Sequence, residues 1–302
     1  MGVRITPQIL VDAVLADIHA AHRRLVDTQK VLATGRRINV PSDDPVGATR
    51  AMDLRTSIAN TNQFMANVRD ATTFSRESET VLRTVIDNLH RVRELTVRGA
   101  TGTLNQQQRD NIALEINEIL EAIVDLANTE SNGRYLFSGT RTRIAPFATT
   151  VVGDEITTVS YAGNSEYFGA LVSPGVTVEV NVPGDEIFQN IQDAFQTFVD
   201  IRDDLRAGDT DSLSNVRLGE IDDIMTQLLD ATALFGAKMN RLELIEQRLE
   251  DQLLNFRTRL SETEEADFIE ALVQLEAQEN ALQAALNAGV RVLQPSILDY
   301  IA

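Results

Sequence analysis

The chain has 302 residues and a formal net charge of −18, from 27 Lys and Arg against 45 Asp and Glu, with no Cys and no Trp. Lack of cysteine excludes a disulfide framework, a thiolate metal site and a thiol nucleophile, and the acidic balance excludes a general nucleic-acid binder, which needs clustered Lys and Arg. A hydrophobic fraction of 43% supports a buried core, and the length fits about two domains.

No apolar run reaches the roughly 18 residues of a membrane-spanning helix. Residues 1–10 lack a basic segment followed by an apolar one, so no Sec-type signal peptide is expected. The missing thiols fit a cytoplasmic protein only loosely. They fit equally well a protein exported by another route.

The first predicted element is a helix carrying Val11, Val14, Ile18, Ala21, Leu25, Thr28 and Leu32 at spacings of 3 and 4. An apolar seam of period 3.5 calls for a partner helix; the plainer alternative is an amphipathic helix on a globular core. His19 and His22 share a face of this helix, with only Asp12 or Asp17 nearby as a third ligand. They read as surface histidines. Gly35 is a natural stop, and residues 35–44 form a polar connector. Ser42-Asp43-Asp44-Pro45 marks a helix start, with Asp44 as cap and Pro45 at the first helical position. Asp43 and Asp44 are therefore capping groups before they are a divalent-cation site.

Two stretches, 46–145 and 184–294, contain none of the seven prolines. Proline inside a helix costs about 3 kcal/mol. Their composition predicts helices over roughly 45–99, 105–131, 186–207 and 211–260. Gly99-Ala100-Thr101-Gly102 is an interhelical loop, since no Lys follows at phosphate-cradling spacing. Between the helical halves, residues 139–186 hold six of the 16 glycines and many β-branched residues. Val176 to Val182 alternates with period 2, the mark of a half-buried strand. Val151–Tyr161 and Phe168–Val172 are further strand candidates, with turns at 162–164 and 173–175.

The last predicted helix carries Phe268, Leu272, Leu275, Glu279, Leu282, Leu286, Gly289 and Leu293, again at spacings of 3 and 4. Residues 1–40 hold six bases and three acids, net +3, while residues 261–302 hold one base and eight acids, net −7. Opposite signs on two heptad segments predict that they pair with each other as a helical hairpin. The fold class expected is mainly α, a long helical hairpin or bundle with coiled-coil termini and a small β-rich insertion. No P-loop, dinucleotide fingerprint, nucleophile elbow or zinc-protease motif is present. The expectation is no catalytic, cofactor-binding or metal site and no enzyme.

Thr34-Gly35-Arg36-Arg37-Ile38-Asn39-Val40-Pro41-Ser42-Asp43-Asp44-Pro45-Val46-Gly47 resembles the signature of the flagellin superfamily. The segment Ala266-Asp267-Phe268-Ile269-Glu270 through Leu272, then Leu286-Asn287 and Leu293-Gln294-Pro295-Ser296-Ile297-Leu298-Asp299-Tyr300, is similar to its C-terminal partner signature. Gly133-Arg134-Tyr135-Leu136-Phe137-Ser138-Gly139-Thr140 resembles a segment of the hook-associated branch, and Pro183 to Phe188 its re-entry into the helical core.

The resemblance implies a structural subunit of the bacterial flagellum, in the layer that joins hook to flagellin filament. It implies terminal coiled-coil segments at 1–42 and 262–302, a helical core at 43–138 and 187–261, and an outer insertion at 139–186. An axial assembly interface is expected at Val11, Val14, Ile18, Ala21, Leu25, Leu32, Phe268, Leu272, Leu275, Leu282, Leu286 and Leu293. Arg37, Ile38, Asn39, Asp43 and Asp44 are the signature connector; Gly133, Tyr135, Phe137 and Gly139 are the signature turn. Implied partners are a hook-side hook-associated protein of the FlgK type, flagellin subunits, further copies in a ring, and a FlgN-type chaperone on the C-terminal region. No nucleic acid and no membrane insertion are expected. The implied location is extracellular, on the flagellum, reached by type III export without a cleaved signal. A short filament flagellin is the alternative. Rivals of other classes are a soluble coiled-coil adaptor with no flagellar role, and an enzyme carried on the flagellum. For the enzyme, residues 139–186 are too short and hold no His or Cys.

Overall fold

A computed structural model describes residues 7–153 and 155–293. The helices are α1 (Pro7–Thr34), α2 (Pro45–Gly99), α3 (Gln106–Ala127), α4 (Gly184–Phe188), α5 (Ala194–Ala207), α6 (Thr210–Ser212), α7 (Leu218–Glu264) and α8 (Phe268–Leu293). A π-helical turn at Leu213–Arg217 joins α6 to α7. Six strands, β1 (Glu130–Ser131), β2 (Arg134–Tyr135), β3 (Phe147–Val152), β4 (Glu155–Tyr161), β5 (Gly169–Ser173) and β6 (Val176–Glu179), pair as three antiparallel hairpins. The fold is mainly helical, with long terminal helices and a small β insertion, as the patterning predicts. The chain forms two compact units, residues 1–60 with 252–302 and residues 61–251.

In the first unit α1 lies along α8. The pairing is antiparallel: Val14 and Ile18 face Gly289, while Gly35 accepts a hydrogen bond from the Ala266 amide. Gly289 sits close against α1: a Cβ there would lie 3.1 Å from Ile18 Cδ1 and 3.2 Å from Val14 Cγ1, so those side chains would have to give by a few tenths of an ångström. Charge is not what joins these helices. The bases and acids of α1 balance, because the positive excess lies in Arg4, Arg36 and Arg37, and no ion pair among the described residues links α1 to α8. The apolar seam carries the pairing.

In the second unit Val68, Ala71, Ser75, Ser78, Leu82, Val85, Leu89, Val92 and Thr96 form a buried stripe along α2 at spacings of 3 and 4. Arg69 pairs with Glu246 at 2.7 Å and Arg93 with Asp222 at 3.0 Å, so α2 and α7 run antiparallel. Phe137, Phe147, Phe188 and Phe195 form an aromatic cluster, with ring centroids 4.9 to 5.7 Å apart, in which hairpin β3–β4 meets α4 and α5. Edge-on and offset ring pairs of this kind add to the area they bury.

Two predicted helices differ from those observed. The helix expected at 186–207 is broken between α4 and α5. The Asp193 side chain caps α5 by accepting from the Phe195 and Gln196 amides. Buried Gln227 of α7 accepts from the Ile191 amide and donates to the Ile187 carbonyl, at 2.7 and 2.8 Å. It supplies backbone partners that a continuous helix would have supplied. The helix expected at 105–131 begins on an Asn105–Gln108 capping box and ends at Ala127. Asn128 then bonds both ways to the backbone of Phe147, at 2.9 Å each.

Candidate assembly surface

The connector between α1 and α2 is held by its own polar side chains. Gly35 ends α1 with a φ of +69°. Asp43 accepts from the Asn39 and Val40 amides, both at 2.9 Å, and Asp44 caps α2 by accepting from the Gly47 amide at 2.9 Å. The amides of Val40 and Asn39 hold the Asp43 carboxyl below the ordinary aspartate range, and the Gly47 amide does the same for Asp44 with help from Arg37. The folded values are depressed, so this stabilisation is complete above the ordinary range and is lost as pH falls from there through the lower folded values. Ile38 is buried and Asn39 donates to the Arg36 carbonyl at 2.7 Å.

Glu264 ties this connector to the one between α7 and α8. It is buried and accepts from Arg36 and Arg55, each at 2.6 Å. Arg37 donates its backbone amide to the Glu264 carbonyl at 2.7 Å and its guanidinium to the Thr263 carbonyl at 2.9 Å. Sequence reasoning missed Glu264 and Arg55, because nothing in the acidic run 262–267 sets one carboxylate apart. Glu264→Gln is expected to lose about 1–2 kcal/mol; both arginines are half-exposed and regain water, which keeps the loss below that of a fully buried pair. Hydrogen exchange should quicken at the Arg37 and Ala266 amides and stay unchanged in the α2–α7 core.

The signature turn does different work from the seam. Asn132 and Gly133 form the tight turn between β1 and β2, both at positive φ. Tyr135 is half-buried, and Phe137 belongs to the aromatic cluster. The Phe137 carbonyl accepts from Gly184 N at 2.8 Å and from the Tyr161 hydroxyl at 2.9 Å. Gly139 has φ +66°, and a Cβ there would lie 2.0 Å from the Asn164 carbonyl oxygen. These residues lock the hairpins to the helical core. Gly139→Ala is expected to cost about 3 kcal/mol, combining a left-handed backbone with a clash against main chain. The midpoint of urea unfolding of the full chain measures it.

On α1, Val11, Val14, Ile18, Ala21, Leu25, Thr28 and Leu32 are each less exposed than most of their neighbours, and Ala21 is buried. On α8 the stripe turned to α1 is Ala271, Leu275, Gln278, Leu282, Ala285 and Gly289, the residues whose exposure drops. Only Leu275, Leu282 and Gly289 of the predicted α8 seam fall on it. Phe268 is 62% exposed, Leu272 45% and Leu286 47%, and they share a second, outer face with Ile269, Val273 and Val290. The side chain of Leu293 and residues 294–300 of the signature lie outside the described residues. His19 and His22 stand exposed on α1, and no group of three or more metal-ligating side chains occurs among the described residues.

The bacterial flagellin N-terminal helical region matches residues 5–142, and the bacterial flagellin C-terminal helical region matches 218–301. The flagellar hook-associated protein 3 of Escherichia coli is 26% identical over 281 residues, covering 85% of this chain and 86% of that one. The flagellar filament 30.7 kDa core protein of Treponema maltophilum is 24% identical over 219 residues, covering 70% and 69%. The crystal structure of the flagellar junction protein FlgL from Legionella pneumophila superposes with a TM-score of 0.59 at 18% identity, covering 71% of this chain and 99% of that one.

Proposed function

Because this chain belongs to the bacterial flagellin family, we propose that it is an axial structural subunit of the flagellum, in the layer between hook and filament. One observation carries the reading. The α8 helix keeps a second apolar face, Phe268, Leu272, Leu286 and Val290, that the described residues leave open. An exposed apolar stripe at helical spacing marks an interaction surface. The likeness to a hook-associated protein along most of both chains, with a shorter likeness to a filament protein, supports the junction rather than the filament. The Gly133 to Thr140 resemblance points the same way.

In this reading the predicted seam residues divide into two classes. The α1 stripe with Leu275 and Leu282 joins the two terminal helices of one subunit. Phe268, Leu272 and Leu286 serve contacts between subunits. The copies associate in a ring, with a FlgK-type protein on the hook side and flagellin on the other. The chain leaves the cell through the flagellar type III channel, with a FlgN-type chaperone on its C-terminal region beforehand. Immunogold labelling of isolated hook–filament structures tests the position. Label confined to the hook–filament boundary is expected. Label along the filament would make the protein a flagellin, and unlabelled structures would remove it from the flagellar axis.

A further inference from the structure

The two histidines of α1 and the Glu276–Glu279 pair of α8 make no hydrogen bond or ion pair among the described residues. On α1, Leu15, His19, His22 and Val26 fall at spacings of 4, 3 and 4 and are all exposed. On α8, Leu272, Glu276, Glu279, Gln283, Leu286 and Val290 fall at 4, 3, 4, 3 and 4, with Leu272, Leu286 and Val290 45 to 56% exposed. Both stripes lie beside the α1–α8 seam and outside it. Among the described residues His19, His22, Glu276 and Glu279 have no hydrogen-bond or ion-pair partner. We propose that the outer face of α8 in one copy of this chain docks on the outer face of α1 in the next, with His19 and His22 set against Glu276 and Glu279.

The proposal rests on the axial reading and deepens it. Each stripe has two polar residues three apart with an apolar residue four before them, Leu15 or Leu272; beyond the pair comes Val26 on α1 and, past Gln283, Leu286 on α8. Packed together, the apolar flanks exclude water around the polar pair. There an imidazole N–H meets a carboxylate acceptor, and such bonds strengthen in the drier, lower-dielectric seam. The occupant is a second copy, because both complementary stripes are carried by the same chain and remain unjoined within it. The local charge agrees: α8 carries Glu270, Glu276 and Glu279 against Arg291, while α1, balanced as a whole, sets Arg23 beside its histidine pair. Two unlike faces on one subunit make a head-to-tail contact, which closes into a ring or continues as a helix.

The test is complementation between two full-length chains in a cell lacking the gene, with export of each checked in the medium. H19E/H22E alone and E276K/E279K alone are each expected to reduce filament number at least tenfold. Co-expressed, they restore it, because each altered α1 face then finds a matching α8 face on the other chain. Near-normal filaments from either variant alone overturn the docking, and so do exported, folded variants that fail to complement. If the wild-type gene itself does not restore filaments, the axial reading fails instead, before the variants are compared.

Discussion

A chain carrying Leu275→Asp and Leu282→Asp is expected to lose the pairing of α1 with α8 while residues 61–251 stay folded. Both leucines lie on the α8 stripe that faces α1 and are half-buried there. Each substitution removes roughly 1 kcal/mol of apolar burial. Each also sets a carboxylate against an aliphatic wall with no donor, costing about 1–3 kcal/mol more. The sum, on the order of 4–8 kcal/mol, exceeds what one pair of helices of this length holds, because isolated helices are marginal in water. Hydrogen exchange across α1 reads the result directly, with protection lost from Val11 to Leu32 and kept in α2 and α3. The companion variant Leu272→Asp with Leu286→Asp should act in the opposite way. Those leucines are on the outer face, so α1 keeps its protection and incorporation into flagella fails. If the outer pair released α1, or the inner pair did not, the division of α8 into two faces would be wrong.

Phe188→Ala is expected to cost residues 61–251 about 3–5 kcal/mol. Phe188 is fully buried and its ring lies 5.7 Å from Phe137, 5.4 Å from Phe147 and 5.4 Å from Phe195. Removing it opens a cavity where hairpin β3–β4, α4 and α5 meet. Stiff neighbours collapse poorly, so most of the cavity term remains. Thermal unfolding followed by circular dichroism should show a transition several degrees lower. A shift below one degree would mean that the cluster does not hold the insertion to the helices.

The α1 stripe was legible because that helix buries a single face against one partner. The caps at Asp44 and the stop at Gly35 were legible because they act within a few residues. The strand in 176–182 was legible from alternation, with Val178, Val180 and Val182 buried and Asn181 buried between them to accept from the Phe168 amide. The single strand expected over 151–161 is instead two, β3 and β4, because Gly153 turns the chain at positive φ. Three features were hidden, each for a physical reason. The break at 189–193 is held by Gln227, which lies on α7 and leaves no trace in local periodicity. Glu264 acts through partners at 36 and 55 and stands among similar carboxylates. On α8 two stripes of the same period lie side by side. The one that meets α1 is built on Ala271, Ala285 and Gly289, since small residues let helices approach closely. A reading weighted by hydrophobicity favours the larger Phe268, Leu272 and Leu286, which face outward.

Deletion of the gene tests the central claim most directly, by electron microscopy of the cells and assay of flagellin in the medium. A junction subunit predicts hooks without filaments and flagellin released to the medium, both reversed by the wild-type gene. Normal filaments on the deleted cells, or bare hooks with no flagellin made, would contradict it.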